Sequence, residues 1–369
     1  TLPASPSAGN IVAVKDYNGN FNVANLTIAR NGSPINGGSS QDVVIDTAGA
    51  SIVLVYVDAT QGWVATQDDA STFAGESFIT ATGGSETCVG SDKIHTFTGP
   101  GTFTVSSISD CASNNLVSYL IVGGGGGAGG YYGGGGAGGF REVKSPVTPY
   151  SASPLCGHGT PANRVTVTAT AFPVVVGGGG AAVSPGTTNG NPGNNSSVFS
   201  LTAALGGHGS GTNSPSPGAG DGGSGGGEGY IQNSPGNGNT PSVTPPQGNN
   251  GGAASPVGGA GGGGGGATAA GGNGASSTPS SDQGVGGAGG AGATTSINGS
   301  PTAYAGGGGG GGVCAGGAGG TGGGGTGQGS NGSGAGAQTG GANTGGGGGA
   351  RGDCGSGGSG IVIIRYKAR

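Results

Sequence analysis

Gly358-Ser359-Gly360-Ile361-Val362-Ile363-Ile364-Arg365-Tyr366 decides how the rest of the chain is read. Four β-branched residues in a row, bounded by glycine, are the mark of a short strand buried on both faces. This strand comes at the end of a chain in which 102 of 369 residues are glycine. Residues 123–127, 133–136, 177–180, 261–266, 306–312 and 345–349 are unbroken glycine runs. Glycine loses more backbone entropy on ordering than any other residue and brings no side chain to a core. Such runs ordinarily read as flexible linkers. A chain that closes on a buried strand, however, has folded around what lies between.

One ordered state suits these runs. The extended left-handed helix of polyproline II has three residues per turn and no internal hydrogen bonds. Polyglycine in that conformation keeps every N–H, so neighbouring helices can bond to one another. Only glycine lets their axes approach closely, as at the axis of collagen. Weak Cα–H···O contacts add to the total. The expected fold is an all-β N-terminal module, then β-hairpins framing a domain of packed polyglycine II helices, with no α-helix of note.

Composition narrows the function. Charged residues make up 7% of the chain and the net charge is −5, so no basic patch is available for nucleic acid. No apolar run approaches the length of a membrane span. Strict Gly-X-Y periodicity, the signature of collagen, is missing. The chain starts at Thr1 and contains no Met, so Thr1 is read as a processed or internal start. Cys88, Cys111, Cys156, Cys314 and Cys354 form no C-x-x-C pair, and His is scarce, so no zinc site is expected. The odd count fits one or two disulfides, with Cys88, Cys111, Cys314 and Cys354 as candidates. Five unpaired, buried thiols are an equal alternative.

Along the chain, residues 1–70 read as a small β module. Period-two alternation appears in Asn25-Leu26-Thr27-Ile28-Ala29-Arg30, and strands are expected at 10–16, 42–46, 51–57 and 62–65. A unit this small buries little surface alone, which points to oligomerisation. Residues 71–77 read as a linker and 78–369 as the glycine-rich domain, closed by the strand at 361–366. Lys93-Ile94-His95-Thr96-Phe97-Thr98 and Thr102-Phe103-Thr104-Val105, joined at Gly99-Pro100-Gly101, read as a hairpin. Tyr119-Leu120-Ile121-Val122 feeds straight into the first glycine run.

These segments come in a set order with Phe172-Pro173-Val174-Val175-Val176-Gly177-Gly178, Asn194-Asn195-Ser196-Ser197, residues 238–249 and the closing strand. The series resembles the glycine-rich domain of tail-fibre and appendage proteins of tailed bacteriophages, particularly marine and cyanobacterial ones, over residues 78–369. Residues 10–66 look like the small β module that often precedes it. The resemblance implies a non-enzymatic structural protein of the virion, extracellular, homotrimeric and joined to other virion proteins. Loops at the tip of the glycine-rich domain would contact a host-surface glycan or outer-membrane protein. The alternatives are a purely structural filament or capsid-surface decoration, or a secreted bacterial surface protein.

Candidate contact residues are those with amphipathic or polar tips among the glycines: Tyr131, Tyr132, Tyr150, His158, Tyr230 and Asn239. The other reading of the aromatics is that they cover the flanks of the lattice or fill a subunit interface. Candidate loops are 145–163, 186–196, 212–217 and 230–250, rich in Pro, Ser, Asn and Thr. Arg351-Gly352-Asp353 spells an integrin-binding tripeptide, which arises easily by chance in such a chain and reads here as a turn beside Cys354. His95, His158 and His208 are far apart and no nucleophile–base spacing accompanies them, so no enzyme, cofactor or metal is expected.

Overall fold

The closing strand lies in the middle of a sheet, between segments that were made more than two hundred residues earlier. The computed structural model describes residues 1–37, 42–68, 77–109, 111–184, 186, 188–211, 218–229, 234–257, 259–276, 283–330 and 337–369. The chain divides into two units: Thr1–Thr80 with Ser107–Asn115 and Arg369, and Ala81–Ser106 with Leu116–Ala368. The fold is all-β. Among the described residues the only helical pieces are 3-10 turns at Ala112–Asn115, Gly157–Gly159 and Pro161–Asn163.

In the first unit, β1 (Ile11–Lys15), β4 (Ser51–Tyr56) and β5 (Trp63–Asp68) form an antiparallel sheet in the order β1-β4-β5, and β2 (Leu26–Ile28) pairs with β3 (Val43–Ile45). The core is Leu2, Ile28, Ile35, Ile45, Ala50, Ile52, Leu54 and Trp63. Asp16 ties the turn after β1 to a distant loop by accepting the backbone N–H of Asn20, Phe21 and Gly49.

The second unit continues with β6 (Thr80–Thr82), β7 (Ser85–Val89), β8 (Asp92–Phe97), β9 (Gly101–Ser107), β10 (Leu116–Val122), β11 (Phe140–Val143), β12 (Val165–Thr166), β13 (Ala171–Val174), β14 (Ser196–Val198) and β15 (Leu201–Ala203). Short pairs β16 (Ala275–Ser276) with β17 (Gly284–Val285) and β18 (Ala293–Thr295) with β19 (Thr302–Tyr304) precede β20 (Ile361–Lys367). The main sheet runs β11-β10-β20-β8-β7, with β12 also on β10. Its two faces differ. Ile94, Leu120, Phe140, Ile361 and Ile363 gather with Tyr150, Ile297 and Tyr304 on one. On the other, His95, Phe103 and Tyr366 make ring contacts with centroids 5.0–6.2 Å apart.

Gly99-Pro100-Gly101 does not close a hairpin. Both edges of β8 are taken, by β7 and β20, so β9 pairs instead with β13 in a separate sheet of order β13-β9-β6. The hairpin partner is β7, whose sequence Ser85-Glu86-Thr87-Cys88-Val89 is exposed throughout and carries no apolar alternation to predict it.

Val122 stands opposite Ile361, so residues 123–360 leave and return at neighbouring points of one sheet. Between these points the glycine segments run side by side. The N–H groups of Gly123, Gly126 and Gly129 donate to the carbonyls of Gly139, Gly136 and Gly133. Those of Gly124, Gly127 and Gly130 donate to Asn194, Asn191 and Thr188, and those of Gly125 and Ala128 to Gly358 and Gly355. Residues 261–267 repeat this. Gly261, Gly264 and Ala267 bond to Gly311, Gly308 and Ala305; Gly262 and Gly265 to Glu228 and Gly225; Gly263 and Gly266 to Gly272 and Ala269, all at 2.8–3.0 Å. Successive donors thus address three different neighbours and return to the first after three residues. The lattice also satisfies the buried backbone without side chains. At Gly264 an added Cβ would run into the Gly135 carbonyl, and at Gly125 into the Gly346 carbonyl.

No disulfide forms. No cysteine is bridged to another, so the disulfide candidates Cys88, Cys111, Cys314 and Cys354 are not joined and the alternative of unpaired thiols describes the structure, except that Cys88 and Cys314 are exposed and not buried. The thiols have separate surroundings. Cys88 is exposed on β7, and Cys111 Sγ lies 3.1 Å from Ser113 Oγ. Cys314 is exposed, whereas Cys354 is buried with its thiol against the Gly129 carbonyl at 3.5 Å. Backbone bonds, rather than covalent bridges, tie the glycine segments together.

Candidate functional site: the far end of the glycine lattice

The first glycine segment leaves the sheet at Val122, turns at Tyr131-Tyr132 and comes back to Phe140. That turn marks the end of the lattice away from the sheet. The hydrogen-bond register brings other segments to the same end: Gly311 N–H donates to Tyr132 O, Gly312 N–H to Gln328 O, and Gly130 N–H to Thr188 O. Arg351 joins them. Its guanidinium carbon lies 4.8 Å from the Tyr132 ring centroid and 5.6 Å from that of Tyr131, and the two rings meet edge to face at 5.1 Å. Tyr132 is buried, while Tyr131 is 40% exposed.

The turn that carries Arg351 is tightly wound. Arg351, Gly352 and Cys354 all have positive φ, at 75°, 62° and 37°. A non-glycine residue in this region is uncommon and is held there by its surroundings. Here the two tyrosine rings and the buried Cys354 hold it, and Asp353 is left exposed. The tripeptide is thus a turn, as expected beside Cys354. Arg351 Nη1 is buried and meets no hydrogen-bond acceptor.

Among the described residues, the candidates Tyr150, His158 and Asn239 do not join this cluster. Tyr150 is buried in the core beside the sheet, with Lys144 Nζ 5.5 Å and the Arg365 guanidinium 5.1 Å from its ring centroid. Burial, with Glu142 nearby, pushes its phenol far above the ordinary value. His158 sits in the turn Gly157–Gly159, where its carbonyl accepts from Arg164 Nε. Asn239 spends its side chain on its own loop: Oδ1 accepts from the Val243 and Gln247 N–H groups. Tyr230 and the loop 212–217 lie outside the described residues. Segment 186–196, expected as a loop, contributes lattice strand instead, since Gly190 and Gly193 donate to Gly209 and Gly206. The loop 145–163 and the turn around Thr244 brace each other, Asn163 Nδ2 donating to Thr244 O at 2.8 Å.

Phe172, read from the sequence only within the segment that leads into Gly177-Gly178, meets Phe199 away from this cluster. Both line a cleft of about 500 Å³ with Arg164 and Val175, their ring centroids 5.0 Å apart. Among the described residues no group of three His, Cys, Asp or Glu is placed to hold a metal, and no helix is long and apolar enough to cross a membrane.

The architecture is thus a sheet from which a glycine lattice leaves and to which it returns, held together by its backbone. Residues 96–367 match the family model described as a glycine-rich domain, and the chain belongs to that family. A search of curated proteins finds no match.

Proposed function

We propose that this chain is a non-enzymatic fibre or appendage protein of a tailed-phage virion, extracellular, which touches the host surface through the far end of its glycine-rich domain. In this reading the glycine segments are polyglycine II helices. The support is the return of each donor series to the same neighbour after three residues, which is the period of that helix. The observation that carries the functional reading is the division of labour between the two ends. One end is locked to a sheet with a buried core. The other presents the half-exposed Tyr131 on a backbone frame that holds it stiffly. Rigid presentation of a stiff amphipathic ring lowers the entropy lost on binding.

The first unit serves attachment and trimerisation. Ile11, Tyr17 and Val23 are 65%, 92% and 84% exposed, an apolar outlay that suits burial against other chains. The same observation favours a second reading, a scaffold or surface decoration that joins protein to protein and meets no receptor.

Three measurements test the proposal. The full chain on a glycan array and on whole bacterial cells should bind a subset of glycans or strains. Gold-labelled antibody on purified particles should mark the tail. Labelling of the capsid together with silence on glycans and cells would leave only the scaffold reading. Sedimentation of the full chain should give a trimer.

A further inference from the structure

Arg351 is the only lysine or arginine between Arg164 and Arg365. It forms no ion pair among the described residues, and its Nη1 is buried without an acceptor. An unpaired guanidinium in a chain of net charge −5 is not there to balance the general field. It is also not loose. Tyr132 and Tyr131 hold it at 4.8 and 5.6 Å, and the backbone beneath it is fixed in a left-handed conformation. A cation kept in place by aromatic rings and lacking a counter-charge is prepared for an anion from outside.

We propose that the Arg351–Tyr131–Tyr132 cluster binds an acidic saccharide, a pyranose carrying a carboxylate. The inference rests on the host-contact reading above and gives its ligand class. Arg351 supplies a planar guanidinium whose N–H groups, other than the buried Nη1, donate to a carboxylate. Tyr131, 40% exposed and with the guanidinium carbon 5.6 Å from its ring centroid, supplies apolar ring surface next to the charge. A hexuronate carries both complements within a single residue: a carboxylate on one carbon and an apolar face of ring C–H groups. A free anion would use the guanidinium alone, and a neutral sugar the ring alone. Asp353, exposed two residues away, disfavours a group that carries two charges at once, such as phosphate.

The test is calorimetric titration of the full chain with tetragalacturonate, its methyl ester, sodium acetate, inorganic phosphate and tetraglutamate. Tetragalacturonate should bind, with each of the other four at least ~10-fold weaker. Arg351→Gln and Tyr131→Ala should each weaken tetragalacturonate by a similar factor while leaving the thermal unfolding midpoint in place. If Arg351→Gln fails to fold, the Arg351 Nε–H resonance of the wild-type chain decides instead. It should shift on addition of tetragalacturonate and stay put with the ester. Equal binding of ester and acid, equal binding by Arg351→Gln, a silent Nε–H, or tetraglutamate binding as well as the saccharide would each overturn the site. The two readings fail separately. Cells bound equally by wild type and Arg351→Gln, with tetragalacturonate silent, would keep the host-contact reading and discard this one. Tetragalacturonate bound at Arg351 by a chain that adheres to no cell would do the reverse.

Discussion

Arg365 Nε donates to Asp92 Oδ2 at 2.7 Å inside the protein, with both side chains at most 2% exposed. The pair fastens the last strand to the strand beside it, and Arg365 also reaches the carbonyls of Pro149 and Ile297. Desolvation makes such a pair a modest net stabiliser, but breaking it leaves a charge stranded. Arg365→Met is therefore expected to destabilise by about 3–5 kcal/mol in denaturant unfolding. Adding Asp92→Leu should restore much of that loss. A single variant as stable as wild type would mean that Asp92 finds water or another donor.

The lattice sets a contrast between glycines. At Gly264 a methyl group would meet the Gly135 carbonyl, whereas at Gly159 nothing lies within 4 Å. Gly264→Ala should lower stability by about 1–3 kcal/mol or more, through forced separation of neighbouring segments. Gly159→Ala should be close to neutral. Chemical denaturation of the two variants checks this; equal effects would mean that the segments yield to a side chain.

Protection from amide exchange follows from the same bonds. The N–H groups of residues 261–266 and 306–312 are donors to neighbouring segments and should exchange far more slowly than that of an exposed turn such as Gly32. Exchange within seconds throughout both runs would show that these segments are linkers.

His95 gives a pH signature. It is fully buried, Nδ1–H donating to Gly83 O at 2.7 Å and Nε2 accepting from Tyr366 Oη at 3.0 Å. Burial is the main cause that holds its pKa below the ordinary value, against the opposing pull of the Gly83 carbonyl and Glu86, with Lys93 adding to the depression. The unfolded chain therefore takes up a proton first as the pH falls through about 6.5. Stability should drop between pH 7 and the lower folded pKa, and His95→Gln should flatten that slope. Thermal midpoints from pH 7.5 to 5 measure it. An unchanged slope in the variant would assign the pH dependence to other groups.

The sequence disclosed those parts whose physics is local. Ile361–Lys367 could be read as a buried strand because nothing but apolar β-branched residues fills its centre. The alternation at Leu26–Ile28 told the same kind of story. The glycine runs showed that an ordered state must be made of backbone, but which segment neighbours which is written in no residue, since every glycine is alike. The strand Ser85–Val89 was hidden because it pairs along its edge and buries no side chain. Of the candidate contacts, Tyr131 and Tyr132 stood out as adjacent aromatics, while Arg351 looked like part of a chance tripeptide. Its place against the two rings depends on a fold that joins residues far apart in the chain.

The threefold alternation of donors also rules how such a domain can change length. Adding one residue within a segment shifts every later N–H by one place in the series of three and points it at the wrong neighbour. Two residues do the same in the other sense, and only a third restores each donor to its partner. Growth and shrinkage of the lattice are therefore quantised in triplets, nine nucleotides at a time.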